Sequence, residues 1–312
     1  MKLWAIVLGL LAVCGSANAA TAVWQPSAGH VQIPIWPGTA PGAQPLPGPE
    51  YTRTGTKLLG GKTITGVYNV SRPTMTVYAP KGRNTGAAVV VFPGGGFAGL
   101  AIDLEGTDVC DWLTPKGITY VLLKYRVPSI PYDWHCDCRP HNFDLSVPSL
   151  QDAQRTIGLV RLHAQEWHID PHKVGVIGFS AGGFLVAEVS TQYGHRLYKP
   201  VDAADKLSAR PDFAMAIYPG HLTRDGHTFN RNLPVTRDTP PTFLVQAEDD
   251  NVDGVDQALV YFTALKQAGV PAELHIYAHG GHAFGLRHTS DPITDWPKLA
   301  EVWMRAIGVV PN

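Results

Sequence analysis

The chain has 312 residues, with 25 Lys and Arg against 26 Asp and Glu and a formal net charge of −1. Hydrophobic residues make up 45% and charged residues 16%, the balance of a packed globular protein rather than a disordered one. There is no basic excess to neutralise phosphates, so nucleic acid is not expected as a partner.

The first residues read as a targeting segment. Lys2 precedes a short apolar run, Leu3 to Val13, that is too short to span a bilayer comfortably. Ala17-Asn18-Ala19 then offers the small-x-small site that a signal peptidase cuts. Residues 1–19 are expected to be a cleaved signal peptide, with a periplasmic or secreted product that has no membrane association after cleavage. Val13 is too large for the residue before a lipid-bearing cysteine, which disfavours Cys14 as an anchor. Cleavage leaves Cys110, Cys136 and Cys138, at most one disulfide pair, so a hydrophobic core must hold the fold.

Residues 20–50 are rich in Pro, Gly and Ala and lack periodicity, as expected for an extended arm on the surface of a domain spanning 51–312. Thr74 to Tyr78 reads as a strand, and Ala87 to Phe92 as a strand buried on both faces. A helix is expected around Thr107 to Lys116, closed by Gly117, and a strand over Ile118 to Tyr125. Pro148 suits a first helical turn, with an amphipathic helix from Leu150 to Trp167. Val174 to Gly178 is a further strand, and the chain is helical from Phe184 onward. Phe213 to Tyr218, Thr242 to Ala247 and Ala272 to Tyr277 complete the strands, with helices near Val255 to Ala268 and Trp296 to Ala306. Strands alternating with helices imply an α/β protein with a mostly parallel sheet covered on both faces. Thr223 to Pro241 is a polar insertion, a candidate wall or lid over a site.

Gly178-Phe179-Ser180-Ala181-Gly182 is a G-x-S-x-G motif between an expected strand and an expected helix. That context makes Ser180 the candidate nucleophile, on a turn too sharp for side chains at the flanking glycine positions. Pro93-Gly94-Gly95-Gly96-Phe97 follows the buried strand directly. Gly95 and Gly96 are the expected oxyanion-hole donors, with Ala181 supplying the N–H after the nucleophile. Gly280-Gly281-His282 follows the last strand, so His282 is the expected base, with His279 the nearby alternative. Asp249 and Asp250 both follow the strand Thr242 to Ala247. One of them is the expected acid, and spacing to the next helix mildly favours Asp250. The chain order is Ser, Asp, His.

These motifs, together with Asp103-x-Glu105-Gly106, Tyr125-Arg126 and Ser149-Leu150-Gln151-Asp152-Ala153-Gln154-Arg155, resemble bacterial acetylxylan-esterase-like (BD-FAE-type) α/β hydrolases, whose members are often labelled endo-1,4-beta-xylanase. They are also similar to the catalytic domain of prolyl oligopeptidases. The resemblance covers nearly all of residues 33–310, Ile35-Trp36-Pro37-Gly38 included. It implies the α/β-hydrolase fold and a serine esterase that hydrolyses acetyl groups on xylan or related carbohydrates. The substrate would be a small-molecule or polysaccharide ester. The sequence departs from the family at Phe184, at Asp253-Gly254 and in the loop carrying Cys136 and Cys138. A peptidase is the alternative, although prolyl oligopeptidases carry a gating propeller for which this chain has no room. A non-catalytic binding protein on the same scaffold is the third reading.

His135, Cys136, Cys138 and His141 lie close together, but Cys-x-Cys is tighter than the usual zinc spacing, and no metal or cofactor is expected. Cys110 is a candidate disulfide partner for one of the two cysteines. Asp103 and Glu105 are expected to pack near the oxyanion loop or to pair with Arg126. Trp112 and Trp167 are expected in the core, and Trp134 is a candidate for stacking on a sugar ring.

Overall fold

A computed structural model describes residues 23–128 and 146–311. The expected signal peptide lies outside the described residues, as do Trp134, His135, Cys136, Cys138 and His141.

The centre is an eight-stranded sheet. Its strands are β1 (Ile33–Pro34), β4 (Thr74–Tyr78), β5 (Ala88–Phe92), β7 (Thr119–Lys124), β8 (Val174–Phe179), β9 (Ala214–Ile217), β10 (Thr242–Ala247) and β11 (Ala272–Tyr277). Their spatial order is β1-β4-β7-β5-β8-β9-β10-β11. Pairing is antiparallel between β1 and β4 and between β4 and β7, and parallel from β7 to β11. A separate three-stranded sheet joins β2 (Tyr51–Leu59), β3 (Lys62–Tyr68) and β6 (Gly99–Leu100). Strands β5, β7 and β8 are buried at every residue; β5 and β8 are apolar throughout, as expected of strands covered on both faces, while β7 ends on Lys124, buried against Glu50 at 2.6 Å. β11 lies at the open edge, and its Glu273 and His275 pair with each other there, a charged pair of the kind that blunts an edge strand.

Helices α1 (Asp108–Leu113), α2 (Val147–Leu162), α3 (Ala181–Gln192), α4 (Asp256–Gln267) and α5 (Trp296–Ala306) flank the sheet. The arrangement is the α/β-hydrolase fold. Two helices differ from expectation. α2 ends at Leu162 rather than Trp167, because the chain closes into a turn in which His168 takes φ +54° and Ile169 N–H donates to the Ala164 carbonyl at 2.7 Å. Ahead of α1, Asp103–Thr107 forms a π-helical turn, with Thr107 N–H reaching back to the Ile102 carbonyl at 2.9 Å.

The arm is mostly exposed or half-buried and is anchored in the core at Ile35 and Trp36. Ile35 and Trp36 are buried. Trp36 Nε1 donates to Asp152 Oδ1 at 2.8 Å, and Arg155 Nε donates to the Ile35 carbonyl at 2.9 Å. Arg126 pairs with Asp152 at 2.9 Å and donates to the Pro41 carbonyl at 2.6 Å. Arg126 therefore does not pair with Asp103 or Glu105. Asp152 on α2 lies beside it, whereas Asp103 is held by Arg287 at 3.2 Å.

The insertion 223–241 packs on α4. The N–H groups of Leu222 and Thr223 both donate to Gln257 Oε1, and Phe229 stacks on Tyr261 at 5.3 Å. Trp112 is half-buried against Trp296 and donates to Glu301. Trp167 stacks on His163. Cys110 is a buried free thiol, and burial pushes its pKa up to about 11. Among the described residues no helix is long and apolar enough to cross a membrane. Nor does any group of three or more His, Cys, Asp or Glu among them stand where it could hold a metal ion.

Candidate active site

The C-terminal ends of β5, β8, β9, β10 and β11 converge at one edge of the sheet, the edge at which open α/β sheets bind ligands. Each end contributes a loop, and each loop carries one part of the site.

After β8 the chain turns at once into α3, with Ser180 at φ +53° and ψ −119°. A non-glycine residue held there carries backbone strain of about 1–3 kcal/mol, sustained by the packing around it. The flanking glycines permit that packing. A Cβ on Gly178 would lie 2.0 Å from the Gly182 carbonyl oxygen, and a Cβ on Gly182 would lie 2.0 Å from that of Phe92. The turn is thus wedged between the ends of β5 and α3, leaving Ala181 as the first residue of the helix.

The loop after β5 lies directly over this turn. A Cβ on Gly94 would come within 2.9 Å of Ser180 Cβ. Gly95 (φ +132°) and Gly96 (φ +62°) bend the loop, and the Gly95 carbonyl accepts from Ala98 and Gly99 at 3.0 and 3.2 Å. Two buried side chains hold its base. Tyr125 Oη donates to the Pro93 carbonyl at 2.5 Å, and Glu105 Oε2 accepts from Gly94 N–H at 2.6 Å. Glu105 Oε1 accepts from Tyr218 Oη at 2.9 Å. Glu105 sits inside the π-helical turn and is fully desolvated, which raises its carboxyl pKa, while the Tyr218 hydrogen bond and the His282 charge pull the other way.

After β11, Gly280 and Gly281 lead to His282, whose side chain is 13% exposed. His282 Nε2 lies 2.9 Å from Ser180 Oγ, and Nδ1 lies 2.7 Å from Asp250 Oδ2. Asp250 is buried and fixed in turn, because Oδ2 accepts from Gln246 Nε2 and Oδ1 accepts from the N–H groups of Val252 and Asp253. Asp249 points elsewhere. It accepts from Gly281 N–H at 2.8 Å and meets His279, which is 81% exposed, at 3.3 Å. Neither Asp249 nor His279 therefore joins the chain of contacts to Ser180.

Burial alone would lower the His282 pKa. The hydrogen bond and charge of Asp250, reinforced by Asp253 and Glu105, outweigh it, and the imidazole pKa lies above its ordinary value. Sequence reasoning misses Asp253 as a member of this cluster, although its carboxyl lies 3.9 Å from His282 Nε2. Its place three residues after Asp250, in the same turn, is the available signal.

Comparison with known proteins identifies relatives of the chain. Residues 75–217 match the BD-FAE family, and residues 150–304 match the prolyl oligopeptidase family. The crystal structure of an acetyl ester-xyloside bifunctional hydrolase from Caldicellulosiruptor lactoaceticus is similar with a TM-score of 0.69 and 31% identity, over 90% of this chain and 97% of that one. An acetylxylan esterase from Xylanibacter ruminicola is 29% identical over 68% of this chain and 44% of its own length. Endo-1,4-beta-xylanase B from Butyrivibrio fibrisolvens is 24% identical over 65% of this chain and 33% of its own. The fold and these relatives define an enzyme of the serine-hydrolase class. The chain spans less than half the length of the curated relatives it matches. It belongs to the acetylxylan-esterase-like, BD-FAE-type α/β hydrolases, related to the prolyl oligopeptidase catalytic domain.

Proposed function

We propose that this protein is a secreted or periplasmic serine esterase that removes acetyl groups from xylan or related carbohydrates through an acyl-enzyme. The observation that carries the reading is the unbroken chain from Asp250 through His282 to Ser180 at 2.7 and 2.9 Å. Neutral His282 takes the proton of Ser180 Oγ as that oxygen attacks the ester carbonyl. Asp250 holds the imidazole with its proton on Nδ1 and stabilises the imidazolium that forms. The N–H groups of Gly95, Gly96 and Ala181 receive the charge that develops on the carbonyl oxygen. His282 then passes its proton to the leaving alcohol, and water enters by the reverse route to free the acid.

The relatives' names point to acetyl esters of xylan, and export suits a polymer that cannot enter a cell. The segment at residues 1–19 is the proposed signal for that export. The match to prolyl oligopeptidases makes a peptide amide the competing substrate.

The test is a panel of initial rates on acetyl, butyryl and feruloyl esters, acetylated xylan and a peptide amide, with wild type and Ser180→Ala side by side. Acetate should be released from acetylated xylan, and Ser180→Ala should keep the fold and lower kcat by about 10⁴ or more. A peptide amide cleaved faster than every ester would overturn the reading. So would cleavage of the xylan chain that survives Ser180→Ala.

A further inference from the structure

We infer that Tyr218 is a positioning residue of the hydrolysis: its hydroxyl ties the loop that carries His282 to Glu105, and through Glu105 to the proposed oxyanion loop. The inference rests on the esterase reading and adds to it a link between the two loops that must act on one carbonyl.

Tyr218 directly follows β9 and is fully buried, with its N–H donating to the Val245 carbonyl at 2.8 Å. Its φ is +37°, a conformation that a bulky residue takes only where the surroundings impose it. The ring meets His282 edge-on at 5.1 Å and Phe284 at 4.4 Å between centroids. The hydroxyl accepts from Gly285 N–H at 3.2 Å and donates to Glu105 Oε1 at 2.9 Å. This side chain thus holds the base loop both at the imidazole and at the Gly285 amide. Burial raises the phenol pKa well above its ordinary value, so the hydroxyl keeps the proton that it donates. At the far end Glu105 Oε2 accepts from Gly94 N–H at 2.6 Å, next to the proposed donors Gly95 and Gly96. The π-helical turn that carries Glu105 also meets the base loop directly. A Cβ on Gly285 would lie 2.5 Å from Leu104 Cδ1, and Arg287 pairs with Asp103 at 3.2 Å.

The two loops work on the same step. His282 takes the proton of Ser180 Oγ while the oxyanion donors receive charge from the carbonyl under attack. A misplacement of about 1 Å in such a constellation can cost about 10²-fold in rate. Sheet pairing does not set the spacing of these loops, because they leave β5 and β11, and β8, β9 and β10 lie between those strands. Tyr218 comes from β9, in the middle of that gap, and its hydrogen bond to Glu105 spans it. Tyr218 and Glu105 are both buried, so water does not replace the bond when one partner is removed.

Tyr218→Phe keeps the ring against His282 and Phe284 and removes only the hydroxyl. Steady-state kinetics on one soluble acetyl ester are compared for wild type, Tyr218→Phe, Glu105→Ala and the double variant, with thermal unfolding to confirm folding. Tyr218→Phe should lower kcat by about ten- to a hundredfold and leave KM within about threefold of wild type, since the hydroxyl acts through the two loops and not on the bound ester. In the Glu105→Ala background the same change should cost less than about threefold, because the link is already broken. A Tyr218→Phe enzyme with kcat close to wild type would overturn the inference and leave the esterase intact. Losses that multiply in the double variant would place the hydroxyl with Gly285 alone and overturn the link. A raised KM with kcat kept would put the hydroxyl on the substrate and overturn it too. Should Tyr218→Phe fail to fold, Glu105→Asp breaks the link from the other end, because its side chain is too short to span Gly94 and Tyr218. It should then lower kcat by about tenfold or more, and wild-type kcat there would overturn the inference. Wild type that hydrolyses no acetyl ester would instead remove the esterase reading itself.

Discussion

Asp250 Oδ2 meets His282 Nδ1 at 2.7 Å, while its neighbour Asp249 is turned to the Gly281 N–H on the outer side of the same loop. The two carboxyls leave the end of β10 one residue apart and so face opposite ways. Asp250→Asn should lower kcat by roughly 10⁴, because an amide at that position favours the wrong imidazole tautomer. Asp249→Asn keeps an amide oxygen for the Gly281 N–H and removes only a charge at an exposed site, so it should change kcat by less than about tenfold. Steady-state kinetics on one soluble acetyl ester decide it. A severe Asp249 variant beside a mild Asp250 variant would reverse the assignment.

The acid limb of the pH profile follows from His282. Only the neutral imidazole accepts the Ser180 proton. Burial lowers its pKa, but Asp250, Asp253 and Glu105 raise it further, so the net shift is upward. A raised pKa keeps the imidazole protonated to higher pH. Activity should therefore be lost already below a pKa above the ordinary ~6.5 and rise through one ionisation to a plateau on the alkaline side. kcat/KM on a soluble acetyl ester between pH 5 and 9 measures this. A bell centred on the acidic side would point instead to a two-carboxylate glycosidase mechanism.

Glu105 holds the loop after β5, the proposed oxyanion loop, through Gly94 N–H at 2.6 Å. Glu105→Gln can keep an acceptor on that N–H and turn its amide towards the Tyr218 oxygen, which already accepts from Gly285. Glu105→Ala leaves the Gly94 N–H unpaired and frees the loop. The alanine variant should lose about 10²–10³ in kcat with the glutamine variant much milder, the scale of losing one oxyanion donor. Equal effects of the two substitutions would show that the carboxylate's charge, rather than its acceptor geometry, supports the loop.

What the sequence makes legible tracks how each element is buried. The run from Ala88 to Phe92 announces itself because a strand covered on both faces has no polar positions. The glycines about Ser180 are readable because steric exclusion leaves no other residue there. The hairpin β2–β3 is not, since six consecutive residues of β2, Arg53 to Leu58, are exposed and carry no apolar alternation; only Gly60-Gly61 marks its turn. The choice between Asp249 and Asp250 depends on a rotation of one residue that no spacing encodes. Glu105 is expected beside the loop after β5, but its bond to Gly94 N–H is not legible, because the π-helical turn that aims it there is a local departure from helical period. The pairing of Arg126 is not legible either, because Asp103, Glu105 and its true partner Asp152 lie at similar separations along the chain and only the fold brings Asp152 on α2 beside it.

Glu188 supplies a test of stability that is independent of catalysis. It lies on α3, fully buried, with Oε1 accepting from Ser146 N–H at 2.7 Å and Oε2 accepting from Ser146 Oγ. Among the described residues it forms no ion pair. Burial drives its pKa up to about 8, and the two Ser146 hydrogen bonds only partly offset that rise. In the unfolded chain a glutamate titrates near ~4.3. Between those two values the folded protein holds a proton that the unfolded chain has released, so stability falls as pH rises. The contribution is complete below the unfolded pKa and lost as pH climbs through about 8. Glu188→Gln keeps an acceptor for Ser146 N–H and cannot ionise, so it removes this slope. Unfolding by urea at pH 5, 7 and 9 should show variant and wild type close together at pH 5. The variant should gain steadily above that, by about 1.4 kcal/mol for each pH step of one between the two pKa values, and reach a few kcal/mol at most by pH 9. A gap between the two proteins that stays constant across this range would show that Glu188 is ionised in the fold throughout.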